Sequence, residues 1–187
     1  MRILAGKARG RKIAAPTGRR TRPTLQVVRK SIFDTLGNRV AGARVLDLFS
    51  GAGTLGLESL SRGSKAATFV EVDVATIRIL EKNVSELSFA EQCTLVHGDA
   101  LTVLLSSCRK GVKYDIVFAD PPYGSESAAQ LIEAFRRCDI LQPLGILVVE
   151  HAKPAAFPSQ MGLLTLWKTR EFGETRVSFY QKGKESS

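Results

Sequence analysis

The 187-residue chain predicts an α/β fold: a doubly wound, mostly parallel sheet with an antiparallel hairpin at its carboxyl-terminal edge. Three observations lead there. Short apolar runs alternate with segments of helical periodicity, the pattern of strands joined by crossover helices. The central run over 114–119 is apolar nearly throughout, as a parallel strand covered on both faces must be. Near the end, two strand-like runs over 163–169 and 176–181 leave no room for a helix between them, so they pair antiparallel.

In chain order, residues 1–15 predict a short hairpin whose arms, 2–5 and 12–15, flank the turn-prone Lys7-Ala8-Arg9-Gly10-Arg11. A basic loop over 16–23 carries Arg19, Arg20 and Arg22. Thr24 is placed to cap a helix over 25–36, and Gly37 to end it. Leu25, Val28, Ile32 and Leu36 share the buried face of that helix, with Arg29 and Lys30 beside the stripe. A strand over 44–49 leads into Ser50-Gly51-Ala52-Gly53-Thr54-Leu55-Gly56 and a helix ending near Gly63. The next strand, 67–72, is followed by Asp73, placed to cap a helix that buries Ile77, Leu80, Val84 and Leu87. A strand over 93–97 runs into Gly98-Asp99-Ala100 and a short helix to about residue 107. The strand over 114–119 must stop at Pro121-Pro122, because neither proline has an amide proton for the ladder. A helix over 125–137, a strand over 145–150 and the hairpin complete the list, with 183–187 as a fraying tail. The whole reads as one domain, a basic extension over 1–23 followed by a core over 24–182.

Composition narrows the partners. The hydrophobic share of 44% and charged share of 24% are those of an ordinary globular protein. No apolar run approaches a membrane span, and the start lacks a signal-peptide core, so a cytoplasmic monomer is expected. Cys93, Cys108 and Cys138 are odd in number and lack metal-ligand spacing, which points to reduced packing residues and no metal site. The net charge of +9 is uneven: residues 1–44 hold 12 Lys or Arg against Asp34 alone, and the remainder is slightly acidic. A basic segment on a near-neutral domain is the footprint of a polyanion partner. A solvated basic tail is the plainer alternative.

Gly51-x-Gly53-x-x-Gly56 matches the dinucleotide fingerprint in spelling, and Glu71 stands where a ribose-binding acid should, so a nicotinamide-dependent oxidoreductase is an alternative. The strand-end acid Asp47 argues against it, since a pyrophosphate gains nothing from added negative charge. A cationic cofactor does gain, and S-adenosylmethionine fits on charge. Asp47, Glu71 and Asp99 fall at successive strand ends. Glu71 can accept from both ribose hydroxyls and Asp99 from the adenine amine, because a carboxylate only accepts. Ser50, Gly51 and Gly53, with Val72 beside Glu71 and Ala100 beside Asp99, complete the expected cofactor contacts. Each acid alone would be an ordinary helix cap; three in register are harder to dismiss.

Asp120-Pro121-Pro122-Tyr123 then has a task. The nitrogen lone pair of a base's exocyclic amine is conjugated into the ring. Asp120 and the Pro121 carbonyl can take the two amine hydrogens and aim that lone pair, with Pro122 stiffening the loop and Tyr123 stacking on a flipped base. Taken together, the acidic glycine loop, Glu71, Gly98-Asp99-Ala100 and this tetrapeptide resemble the Rossmann-like methyltransferases that modify exocyclic amines. The amino-terminal Arg2-Ile3-Leu4-Ala5-Gly6-Lys7, Arg9-Gly10-Arg11, Arg22-Pro23-Thr24 and Arg29 before Phe33 resemble one branch, the RsmD-like family of 16S rRNA (guanine-N2) methyltransferases. The likeness runs to about residue 182 and includes Phe172-Gly173-Glu174-Thr175. It implies a guanine of small-subunit rRNA as target, position 966 in the usual rRNA numbering, in naked RNA, the subunit or an assembly intermediate. The chain departs from the family at Ala8, where an aromatic is common and would supply an RNA-stacking contact.

Arg9, Arg11, Arg19, Arg20 and Arg22 are the expected phosphate contacts. Two other readings stand beside this one. A DNA adenine methyltransferase would need a recognition domain for which 187 residues leave no room, and an assembly factor would keep the fold without chemistry. His97 and His151 read as packing or surface residues, and Trp167 as core.

Overall fold

The computed structural model describes residues 1–15, 23–122, 125–153 and 157–184. Eight strands form one sheet: β1 (Arg44–Asp47), β2 (Ala66–Glu71), β3 (Cys93–His97), β4 (Tyr114–Ala119), β5 (Leu141–Ala152), β6 (Gln160–Met161), β7 (Leu164–Phe172) and β8 (Thr175–Lys182). Among the described residues five α-helices accompany them: α1 (Pro23–Leu36), α2 (Thr54–Ser61), α3 (Val74–Glu86), α4 (Ala100–Arg109) and α5 (Ser125–Arg137). The strand order is β3-β2-β1-β4-β5-β8-β7-β6, parallel from β3 to β5 and antiparallel beyond. The chain reverses direction across the sheet between β1 and β4, and the crevice above such a switch is where ligands bind in open α/β sheets.

Two apolar clusters flank the sheet. One joins α1, α2 and α3 to Val45, Phe69, Phe118, Val148 and Phe179. The other joins α4 and α5 to Leu46, Val70, Val117, Leu147 and Tyr180. Alternation along each strand sends successive residues to opposite layers, which is why every central strand is apolar on both faces.

The amino-terminal segment forms the expected short hairpin: Arg2 bridges Lys12 antiparallel, Ile3 N donates to the Arg11 carbonyl at 3.0 Å and Ile13 N to the Met1 carbonyl at 2.9 Å. Other amides of the segment are taken by the body of the protein. Leu4 and Ala5 donate to the Glu58 carboxylate at 2.8 and 3.0 Å, Ala8 to Ser61 Oγ at 3.0 Å, and Ala14 to Asn83 Oδ1 at 2.8 Å. Gly6, at φ +82°, lies so close to the Ser61 carbonyl that a Cβ there would stand 1.8 Å from its oxygen. Ile3, Ala8 and Ile13 are buried in the α1–α3 cluster, so position 8 faces the core in this chain and offers no stacking surface to RNA.

Further boundaries shift for visible reasons. α1 begins at Pro23, so Thr24 lies within its first turn and is not the cap. β1 ends at Asp47 and β2 at Glu71, leaving Val72 and Asp73 in the turn. β5 extends back to Leu141 because a register shift between Tyr114 and Ile116 of its partner accommodates Pro143 and Leu144, the latter at φ +64°. β6 was not expected. Asp73 caps α3 as predicted, accepting from the Thr76 amide at 2.7 Å.

Candidate active site

The carboxyl ends of the parallel strands bring four acids to one edge. Asp47 closes β1, Glu71 closes β2, Asp120 follows β4, and Glu150 lies near the end of β5. Asp47 is 3% exposed and accepts from the Gly56 amide at 3.1 Å. Burial pushes its carboxyl up to about 7, with the charges of Asp120 and Glu71 adding to the shift. Glu71 is half-buried and fixed at both oxygens: Oε2 accepts from Gly51 N at 2.9 Å and Oε1 from Asp73 N at 2.8 Å. Each oxygen keeps a second lone-pair direction, so this anchoring aims the carboxylate without exhausting it.

The glycine loop is built around these acids. Gly51 and Gly53 adopt φ of +53° and +83°, and a Cβ on Gly53 would stand 2.3 Å from Leu80 Cδ1. Ser50 is buried and donates its hydroxyl to the Val70 carbonyl at 2.9 Å, so its side chain braces the loop against β2. Asp99 caps α4, where Oδ1 takes both the Thr102 amide and hydroxyl at 2.8 Å. Ala100 is buried below it. Val72 is 66% exposed, an apolar side chain standing in the open between Glu71 and the β3 edge. His97 meets its carbonyl at 3.0 Å, in keeping with an ordinary surface role.

Asp120 is exposed, Pro121 buried and Pro122 exposed, so the loop is seated through its first proline. Tyr123 lies outside the described residues. Glu150 is the acid that sequence reasoning missed. Ala119 pairs with Val149, which puts Asp120 and Glu150 on adjacent strands one step beyond that pair. Burial pushes the Glu150 carboxyl up to about 8, and the Asp120 charge raises it further in the same direction. The available signal was an acid closing an otherwise apolar strand, the feature that exposed Asp47 and Glu71.

The remaining expected residues divide. Arg9 and Arg11 are exposed, and Arg11 donates to the Glu86 carbonyl. Their neighbour Lys7 donates to Gln92 at 2.9 Å, directly before β3 starts. That is the amino end of the sheet, about 17 Å along β3 from the acidic edge. Arg19, Arg20 and Arg22 lie outside the described residues. His151 is packed as expected, against Ser178 Oγ at 2.9 Å and the Phe157 ring. Trp167 is not core: it is 38% exposed, with the Arg39 guanidinium 5.0 Å from its ring centroid. The register shift between Leu166 and Lys168 turns it out of the regular alternation. All three cysteines are free, and no metal-binding group of His, Cys, Asp and Glu occurs among the described residues.

The model of a family described as Conserved hypothetical protein 95 matches residues 1–181. Ribosomal RNA small subunit methyltransferase D of Escherichia coli K12 is 32% identical over 182 residues, covering 97% of this chain and 90% of that one. The chain belongs to the RsmD-like family. A solved family structure, yhhF from Escherichia coli, superposes with a TM-score of 0.87 at 32% identity and covers 99% of both chains. An RNA methyltransferase from Salinibacter ruber, solved with S-adenosyl-L-homocysteine, shares the fold at a TM-score of 0.65 and 17% identity, covering 89% of this chain and 97% of its own. The family match begins at residue 1 and so takes in the segment whose Leu4, Ala5 and Ala8 amides α2 holds through Glu58 and Ser61.

Proposed function

We propose that this RsmD-like protein methylates small-subunit rRNA, using S-adenosylmethionine, at the N2 amine of a guanine, position 966 by family resemblance. The observation that carries the reading is the convergence of Asp47, Glu71, Asp120 and Glu150 at the sheet's carboxyl edge. The names of full-length relatives, rRNA small-subunit methyltransferases, support the same substrate. The described residues fit the cofactor. A cation offsets the burial that raises Asp47 and Glu150 and the smaller repulsion each feels from Asp120. Exposed Val72 offers a purine ring an apolar face between Glu71, for the ribose, and Asp99, for the exocyclic amine.

S-adenosylmethionine, when bound, supplies a methyl group activated by a sulfonium, so no base is needed before transfer. The protein's work is to aim the nitrogen. Asp120, exposed on a loop seated by buried Pro121, accepts from the amine and draws its lone pair out of conjugation. It also stands where the amine's surplus proton must leave. Glu150 beside it is held neutral through pH 7, which keeps a second negative charge away from Asp120. Arg9 and Arg11 would meet phosphates far from the target base.

The test is methyl transfer to unmodified 16S rRNA by wild type and by Asp120→Asn. We expect product from the wild type and a loss of two orders of magnitude or so in the variant, the scale for removing a positioned catalytic group. Equal rates in both proteins would remove Asp120 from the chemistry.

A further inference from the structure

We propose that the α1-facing side of β7, carrying Trp167, Lys168 and Arg170, is a track for single-stranded RNA that leads to the methyl-transfer edge. The proposal rests on the reading of the protein as an rRNA methyltransferase and gives its substrate a path.

Register defines the track. Lys168 pairs with Phe179 and Arg170 with Val177, and directly opposed residues of an antiparallel pair share a face. Phe179 and Val177 belong to the α1-side cluster, so Lys168 and Arg170 face that side as well. Trp167 joins them there, its ring edge-on to Phe179 at 6.3 Å. Val177 in turn pairs with Glu150 on β5, beside Asp120. Arg170, Val177, Glu150 and Asp120 therefore form one transverse row, with Arg170 three strand spacings, about 14 Å, from the catalytic loop.

The chemistry of the track suits a polynucleotide. An open groove of about 310 Å³ runs between α1 and β7, lined by Val27, Lys30, Ser31, Asp34, Lys168 and Arg170. Asp34 is the one acid among the described residues that line it, and is paired with Lys30 at 2.6 Å. Arg39, Lys168 and Arg170 form no ion pair among the described residues; Arg39 and Lys168 instead flank the Trp167 ring at 5.0 and 5.9 Å. Uncommitted cations around a part-exposed indole, with exposed Val27 across the groove, offer phosphates a counter-charge and a base a stacking surface. Arg9 and Arg11 do not serve this purpose near the site, because they sit at the other end of the sheet.

Trp167 is the chain's single tryptophan, so its fluorescence reports this patch alone. An unmodified 16S rRNA transcript is titrated into wild type and into Lys168→Glu/Arg170→Glu across a salt series, with S-adenosylmethionine affinity and methyl transfer measured in parallel. We expect quenching in the wild type, a roughly tenfold weaker RNA affinity in the variant, and a salt slope shallower by about 1.4 for two lost phosphate contacts. S-adenosylmethionine affinity stays unchanged. Unaltered fluorescence on RNA binding, or parallel salt slopes in the two proteins, would overturn the track. Equal quenching by heparin would reduce the patch to a plain polyanion surface and overturn the stacking claim. A wild type that transfers no methyl to rRNA would sink the parent reading, while quenching and slope still decide the track.

Discussion

At the scale of single residues, acids in similar places are prepared for different work. Glu71 is tied at both oxygens to loop amides and shows an orienting geometry. Glu71→Ala should weaken S-adenosylmethionine binding by about 1–3 kcal/mol, the cost of stranding hydrogen-bonding groups. The chain should still fold, and titration calorimetry alongside thermal melting separates the two effects. On the proposed reading Asp120 meets the substrate amine, so Asp120→Ala should cut the transfer rate far more than cofactor affinity. Losses of similar size in both would move Asp120 into the cofactor pocket. Glu150 is neutral at pH 7 because burial outweighs its wish to ionise, and Glu150→Gln should preserve most of the rate at neutral pH. A pH–rate profile on both proteins checks this: the wild type alone should change near pH 8.

Among the elements, the decisive one is α2, which carries the glycine loop at one end and the amino-terminal segment at the other. Glu58 is 0% exposed, yet it accepts from Leu4 and Ala5 and pairs with Arg62 at 2.8 Å and Arg29 at 4.0 Å. Arg29 is 3% exposed and donates to the Arg2 carbonyl at 2.6 Å, while its Nε and one Nη lack hydrogen-bond partners. Burial lowers the Arg29 pKa, and only the Glu58 charge opposes that shift. Glu58→Ala should therefore cost about 3–5 kcal/mol, the range for breaking a buried pair, and free residues 1–8 to proteolysis. Urea unfolding and limited trypsin digestion measure both. None of this was legible in the chain, because periodicity set Arg29 beside a core stripe and nothing set Glu58 there. What periodicity and turn chemistry do specify came through: β3, β4 and α5 lie where expected, as does the Asp73 cap. The amino-terminal hairpin came through as well, but its anchoring did not, since the partners of Leu4, Ala5 and Ala8 are side chains more than fifty residues away. Trp167 was misplaced because a bulge breaks the alternation that sequence reasoning relies on.

For the whole molecule, the acidic edge couples stability to function. Asp47 near 7 and Glu150 near 8 titrate above the ordinary carboxyl range around 4. Between those values the folded chain holds protons that the unfolded chain has released, so stability must fall as pH rises toward about 8. His151, lowered by burial, acts below about 6.5 and does not mask this. Unfolding free energy without cofactor should decline from pH 6.5 to 8.5, and Asp47→Asn/Glu150→Gln should flatten the decline; an equally steep fall in the double variant would refute the assignment. The proposed function rests on the same edge, which on that reading takes a cation at its acids and a base amine at Asp120. The most direct measurement is mass spectrometry of nucleosides from unmodified 16S rRNA, naked and in particles, after incubation with the protein and S-adenosylmethionine. N2-methylguanosine is the expected product, absent with Asp120→Ala. N6-methyladenosine, or no methylated base from either substrate, would contradict the account.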